Sequence, residues 1–246
     1  MRLSAALPIF AVAFAMACDT TTTAPNVAGL DPLKPSFTAG SNETTCEGTL
    51  AAGTYQNIVV PVNANCSVSN SEVKHNITVL ENSGLVVTGG TIVRGSILAD
   101  KSRRVEITNT GVTDGNIVKG SIEITEFTQA VFICGATLTH GDMYIARGFG
   151  IVVIGGTLCN EGVGGGNILE KGSLTVEDNV IASGFLIGLR INGNQVGKDL
   201  KVLRNLEGDF KTVAGNTVGR TVQCFENEEP FIGGPNTARN AEGQCF

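Results

Sequence analysis

The chain has 246 residues, room for one good-sized domain, and its 32 glycines, two tyrosines, absent tryptophan and 16% charged content favour strands and turns over helices. The net charge is −6 and no cluster of lysines and arginines occurs, so a nucleic-acid partner has no electrostatic footprint here.

Residues 1–17, MRLSAALPIFAVAFAMA, carry one early arginine, no acid and an apolar run ending in small residues. That is the pattern of an export signal, too short and wrongly flanked for a membrane span. Its end admits two processing sites. Ala15-Met16-Ala17 fits ordinary signal peptidase, and Ala15-Met16-Ala17-Cys18 resembles a bacterial lipobox, although that motif prefers leucine where Ala15 stands. Parity favours the second, because with Cys18 lipidated the other six of seven cysteines can close three disulfides. The expected location is therefore the cell envelope, as a membrane-anchored lipoprotein, with simple secretion as the alternative. Membrane contact is expected through Cys18 alone. Residues 18–45 are polar, contain threonine and proline, and lack periodicity, which reads as a flexible tether.

From residue 76 the chain repeats. NITVLE (76–81), SILADK (96–101), SIEITE (121–126), DMYIAR (142–147), SLTVED (173–178) and DLKVLR (199–204) are sister segments, with a weaker copy, TVQC, at 221–224. Their starts lie 20, 25, 21, 31 and 26 residues apart. A second family lies between them, including GLVVTGGTIVRG (84–95), AVFICGATLTHG (130–141) and FKTVAGNTVGR (210–220), each holding two short strand-like pieces. A period near 20–25 residues with three short strands predicts a single-domain, all-β parallel β-helix over residues 46–246, of about seven coils. A sandwich would lack the axial register, and a propeller would need longer blades. Parallel connections predict a right-handed coil. Ile77/Val79, Ile97/Ala99, Ile122/Ile124, Met143/Ile145, Leu174/Val176 and Leu200/Val202 should point inward. Asn194 and Asn216 should stack as a short amide ladder.

Both ends of such a stack need caps. Cys46 with Cys66, and Cys224 with Cys245, each bracket about one coil, and each bridge is worth on the order of 3 kcal/mol in the chain-entropy model. Cys134 and Cys159 form a third candidate pair, about five residues out of register; as thiols they would serve as small buried apolar residues.

The stretches CEGTLAAGTYQNIVVPVNANC (46–66) and QCFENEEPFIGGPNTARNAEGQC (223–245), with the GNxVG copies at 193–197 and 215–219, resemble a family of exported bacterial right-handed parallel β-helix proteins. The resemblance spans roughly residues 46–246. It implies the fold and carries no assigned reaction.

Chemistry was sought where the stacked coils align. His140 and GDMYIARG (141–148) hold a histidine, an acid, a tyrosine and an arginine in nine residues. Set against the sister segments, Asp142 follows a turn column of Asn76, Ser96, Ser121, Ser173 and Asp199. Arg147 is one rung of a column that alternates in sign: Glu81, Lys101, Glu126, Arg147, Asp178, Arg204. Opposite charges about 5 Å apart contribute roughly 0.2–1 kcal/mol per pair, so a charge ladder explains the column without catalysis. Tyr144 alone lacks a matching partner above or below. No catalytic, cofactor or metal constellation emerges: the two histidines sit at turns, and GVGGGN (162–167) lacks the Lys-Ser/Thr of a phosphate loop. Tyr144, Arg147, Arg190 and Arg204 stay as possible ligand contacts, the arginines as a groove for an anionic polysaccharide. The expected role is a non-enzymatic cell-envelope module with a surface, scaffold or adhesion function. The alternatives are a small carbohydrate-active or polysaccharide-binding protein and a self-associating β-helix scaffold.

Overall fold

The computed structural model describes residues 42–109, 115–156, 165–183, 188–208 and 210–245. The described residues form a parallel β-helix with no α-helix, built from three all-parallel sheets. Each coil runs through the third sheet, then the first, then the second, as in Ile117–Val118, Ile122–Thr125 and Ala130–Cys134. The first sheet holds ten strands, from Glu43–Thr45 to Asn240–Gly243. The third holds eight, from Thr54–Tyr55 to Thr217–Val218.

The core follows from alternation. In the first sheet, Ile77, Ile97, Ile122, Met143, Leu174 and Leu200 stand in one straight row, and all are fully buried. Val79, Ala99, Ile124, Ile145, Val176 and Val202 form the row beside it. A two-residue side-chain period puts these β-branched and aliphatic chains inside together, and the outward positions between them are left for polar residues.

Eight complete coils are present among the described residues, one more than the sequence predicts. The additional one contains Asn57–Val60, which pairs in register with Ile77–Val79 and buries Ile58 and Val60. It was masked by its length. Only 18 residues separate the third-sheet strands at Thr54 and Glu72, and Pro61 follows the strand directly, so the segment reads as a cap. Glu43–Thr45, inside the expected tether, also joins the first sheet against Asn57–Val59.

The ends are stapled where expected. Cys46 bonds Cys66 with 5.4 Å between their Cα atoms, and Cys224 bonds Cys245 at 5.5 Å. Cys159 lies outside the described residues, and its pairing with Cys134 therefore does too.

Polar side chains climb the turns. Asn167, Asn194, Asn216 and Asn236 form a continuous amide ladder, each Nδ2 donating 2.9 Å to the next Oδ1. The expected Asn194–Asn216 pair is its middle. Asn167 is also the last residue of GVGGGN, so that stretch ends in a structural amide. A second ladder runs through Asn179, Asn205 and Asn227 to Gln244 at 2.9, 2.9 and 3.1 Å. Their remaining amide hydrogens bond backbone carbonyls such as Ile154 O and Val176 O. Buried amides stabilise only when donor and acceptor are both satisfied, and a ladder satisfies both at every rung. Lower in the second column the same position is filled by Phe127, which is buried, with Gly148 above it.

Candidate functional site

Residues 140–148 lie on the first sheet midway along the stack, and the structure gives each polar side chain a partner. Met143 and Ile145 are core. Asp142 is a turn residue: its Oδ1 accepts the Ser173 amide at 2.7 Å, and its own amide donates to Ser121 Oγ at 3.2 Å. Asn76 and Ser96 do the same in the coils below, accepting the amides of Ser96 and Ser121. The acid here extends a chain of side-chain-to-backbone bonds and is not aimed at a reactant. His140 is exposed, with Nδ1 2.8 Å from Thr139 Oγ1.

Tyr144 has no matching partner directly above or below, as the column of letters predicts, but it finds one on the diagonal. In register it faces Glu123 below and Thr175 above. Its hydroxyl reaches diagonally, donating to Glu177 Oε1 at 2.9 Å, and accepts from Arg147 Nη1 at 3.4 Å. Diagonal neighbours two residues along an adjacent strand are within reach of long side chains, and a straight column of letters hides them.

Glu177 in turn accepts from Arg204 Nη2 at 3.0 Å, and Arg204 Nε lies 2.6 Å from Asp178 Oδ1. Arg147 Nε lies 3.9 Å from Glu126 Oε1. Glu126, Arg147, Tyr144, Glu177, Arg204 and Asp178 are thus linked across four coils. The charge column is therefore real but uneven. A close ion pair forms at Asp178–Arg204 and a loose one, at 3.9 Å, at Glu126–Arg147, two of the five expected steps. The Arg204 hydrogen bonds hold the Asp178 carboxyl below its ordinary value, and the Arg147 charge adds to the effect from further away. The column also shares a backbone feature. Lys101, Glu126, Arg147, Asp178 and Arg204 all have φ between 52° and 56°, the left-handed bend that turns the chain out of the first sheet. In the coil beneath them that conformation falls on Asn82, one residue past Glu81.

Burial first, then the hydrogen bond to Glu177 and its charge, raise the Tyr144 phenol above its ordinary value. The hydroxyl stays protonated at neutral pH and acts as a donor to Glu177, which makes it a poor base or nucleophile. An open cleft of about 440 Å³ adjoins it, with Glu123, Asp142, Ser173 and Lys201 on its walls.

Arg190 does not join this cluster. It lies on the outward row of the second sheet between Val153 and Thr212, whereas Arg147 and Arg204 stand at the bend after the first.

Three features escaped the sequence reading. Glu177 is the hub of the network. Lys211 is fully buried at an inward position between Leu189 and Phe231, and its Nζ has no hydrogen-bond partner among the described residues. Burial lowers its pKa against the opposing pull of Glu228 and Glu229. Its spacing of two from Val213 in FKTVAG was the available signal. Phe149 is 53% exposed on the outer surface, displayed between two glycines in GFG.

Comparison with protein-family models, with characterised proteins and with solved structures finds no match to this chain.

Proposed function

We propose that the protein is a non-enzymatic module of the bacterial cell envelope, exported and held by lipid on Cys18, that presents the rigid faces of its β-helix in a scaffold or adhesion role. One observation carries the reading. The side chains that look most like chemistry (Asp142, Tyr144, Arg147 and Arg204) direct their polar atoms at neighbouring coils, through the turn bond to Ser173, the Glu177 hydrogen bond and the two ion pairs. Their geometry serves stacking. A lyase or hydrolase would need such groups turned toward a substrate in a position to move a proton.

The test is a degradation screen: the full chain is incubated with a panel of neutral and acidic polysaccharides, and the release of reducing ends or unsaturated sugars is followed. Intact polymers support the reading, and cleavage of any of them overturns it. Incorporation of labelled fatty acid in the native host, lost in Cys18→Ala, is expected for the anchored form; failure of Cys18 to take up label leaves a secreted protein.

A further inference from the structure

Two adjoining clefts lie on the second sheet, away from Tyr144. One, of about 380 Å³, runs beside Asn65, Val86 and Arg103; the other, of about 370 Å³, runs beside Thr128, Phe132 and Phe149. They share Arg104 and Gln129, and so form one groove. Its floor follows the row Asn65, Gly84, Arg104, Ala130 and Ile151, in straight register up the stack. Gly84 and Ala130 are small, which leaves the floor open on either side of Arg104. Four steps of about 4.8 Å give a length of about 19 Å.

The groove is furnished on purpose by local structure. Phe149 is held outward by its flanks: a Cβ on Gly148 would strike the Phe127 ring, and one on Gly150, at φ +136°, would strike the Gln129 carbonyl. Only glycine fits either place, and between them a large apolar ring stands 53% exposed. The Arg104 guanidinium packs 5.2 Å over the Phe132 ring and bonds Glu106 at 2.8 Å, which fixes its position and leaves other N–H donors for the groove. Arg103 donates to the neutral amide of Asn65, and among the described residues it forms no ion pair with a carboxylate. Two guanidiniums facing one carboxylate make this lane net positive on a chain of net charge −6.

We propose that this groove binds an extended, uronate-containing glycan, with Phe149 stacked under one sugar ring and Arg103, Arg104, Gln129 and Thr128 bonding its carboxylates and hydroxyls. An extended peptide fits less well. Backbone N–H and C=O groups of a parallel stack point along the axis into the next coil, as in Ile151 N to Gln129 O, and offer a peptide in the groove no main-chain pairing. A glycan has no amide groups to satisfy. The proposal rests on the envelope-module reading and gives it a ligand class.

The experiment titrates the full chain with hexagalacturonate and, in parallel, with neutral cellohexaose, by calorimetry. Hexagalacturonate should bind, more weakly as salt rises, and Phe149→Ala and Arg103→Ala should each weaken it by about tenfold or more without lowering the unfolding midpoint. Thr212→Ala, on the same sheet beyond the groove, should leave binding unchanged. No binding, equal binding of the neutral sugar, indifference to both variants, or Phe149-dependent capture of peptides instead would overturn the assignment. Cleavage of bound hexagalacturonate would overturn the non-enzymatic reading and leave the groove standing, whereas absent binding removes the groove and leaves that reading untouched.

Discussion

The Tyr144 hydroxyl donates to Glu177 at 2.9 Å across a coil boundary, two residues further along the strand than straight register would place its partner. The same carboxylate takes a bond from Arg204, so one phenol joins the charge column to the outward row of the first sheet. Tyr144→Phe keeps the ring and removes only the donor. Its expected effect is a loss of about 1 kcal/mol in urea unfolding, the size of one partly exposed hydrogen bond to a charged acceptor. A loss within error would show that Glu177 is held by Arg204 alone.

Arg147 stands between Glu126 and Asp178 in the column. Replacing it with alanine removes attraction, and replacing it with glutamate puts three carboxylates in adjacent coils. Arg147→Glu should therefore be the more destabilising, by about 0.5–1 kcal/mol over Arg147→Ala, and the gap should shrink in high salt. Equal unfolding midpoints at low salt would remove the ladder as an explanation of the alternating signs.

The Asn194 side chain serves four bonds in the buried ladder: it accepts from the Asn167 amide and side chain, and donates to Ile154 O and Asn216 Oδ1. Asn194→Ala strands partners above and below with no route to water. A loss of about 2–3 kcal/mol is expected in chemical denaturation. A surface amide such as Gln223, whose side chain donates to Glu242 at 3.1 Å, should cost well under half as much on the same change.

Lys211 gives a stability term of opposite sign. Burial lowers its folded pKa below the unfolded value, so the unfolded chain holds a proton that the folded chain sheds. Stability contributed at this site therefore rises with pH up to the ordinary lysine range and is least in neutral and acid solution. Lys211→Met should raise stability by about 1–3 kcal/mol at neutral pH and flatten that part of the pH profile. A destabilised methionine variant would mean that the Nζ group has found a polar partner in solution.

Much of the fold was legible because it recurs. Met143 and Ile145 are unremarkable alone and become core once Ile122, Ile124, Leu174 and Val176 repeat their phase. The turn role of Asp142 followed from the serines in its column. What stayed hidden broke the straight alignment. Glu177 meets Tyr144 on a diagonal. The coil around Asn57–Val60 is short and ends in Pro61. The second amide ladder is written in the sequence as an asparagine after Asp178, Arg204 and Glu226, but only three coils repeat it, and Phe127 and Gly148 take the position lower down. Phe132 and Phe149 lie in second-sheet strands at different register positions, so no single column of letters sets them side by side.

The two disulfides acquire a mechanical meaning from where they sit. In a stack whose coils touch only their neighbours, separation along the axis proceeds from the ends, one coil at a time, because interior coils are held on both sides. Cys46–Cys66 and Cys224–Cys245 each tie a terminal coil to the chain beside it, at the two places where peeling begins. The bridge keeps residues 46–66 from being drawn out of the stack, so the terminal coil cannot be the first to peel away as extended chain.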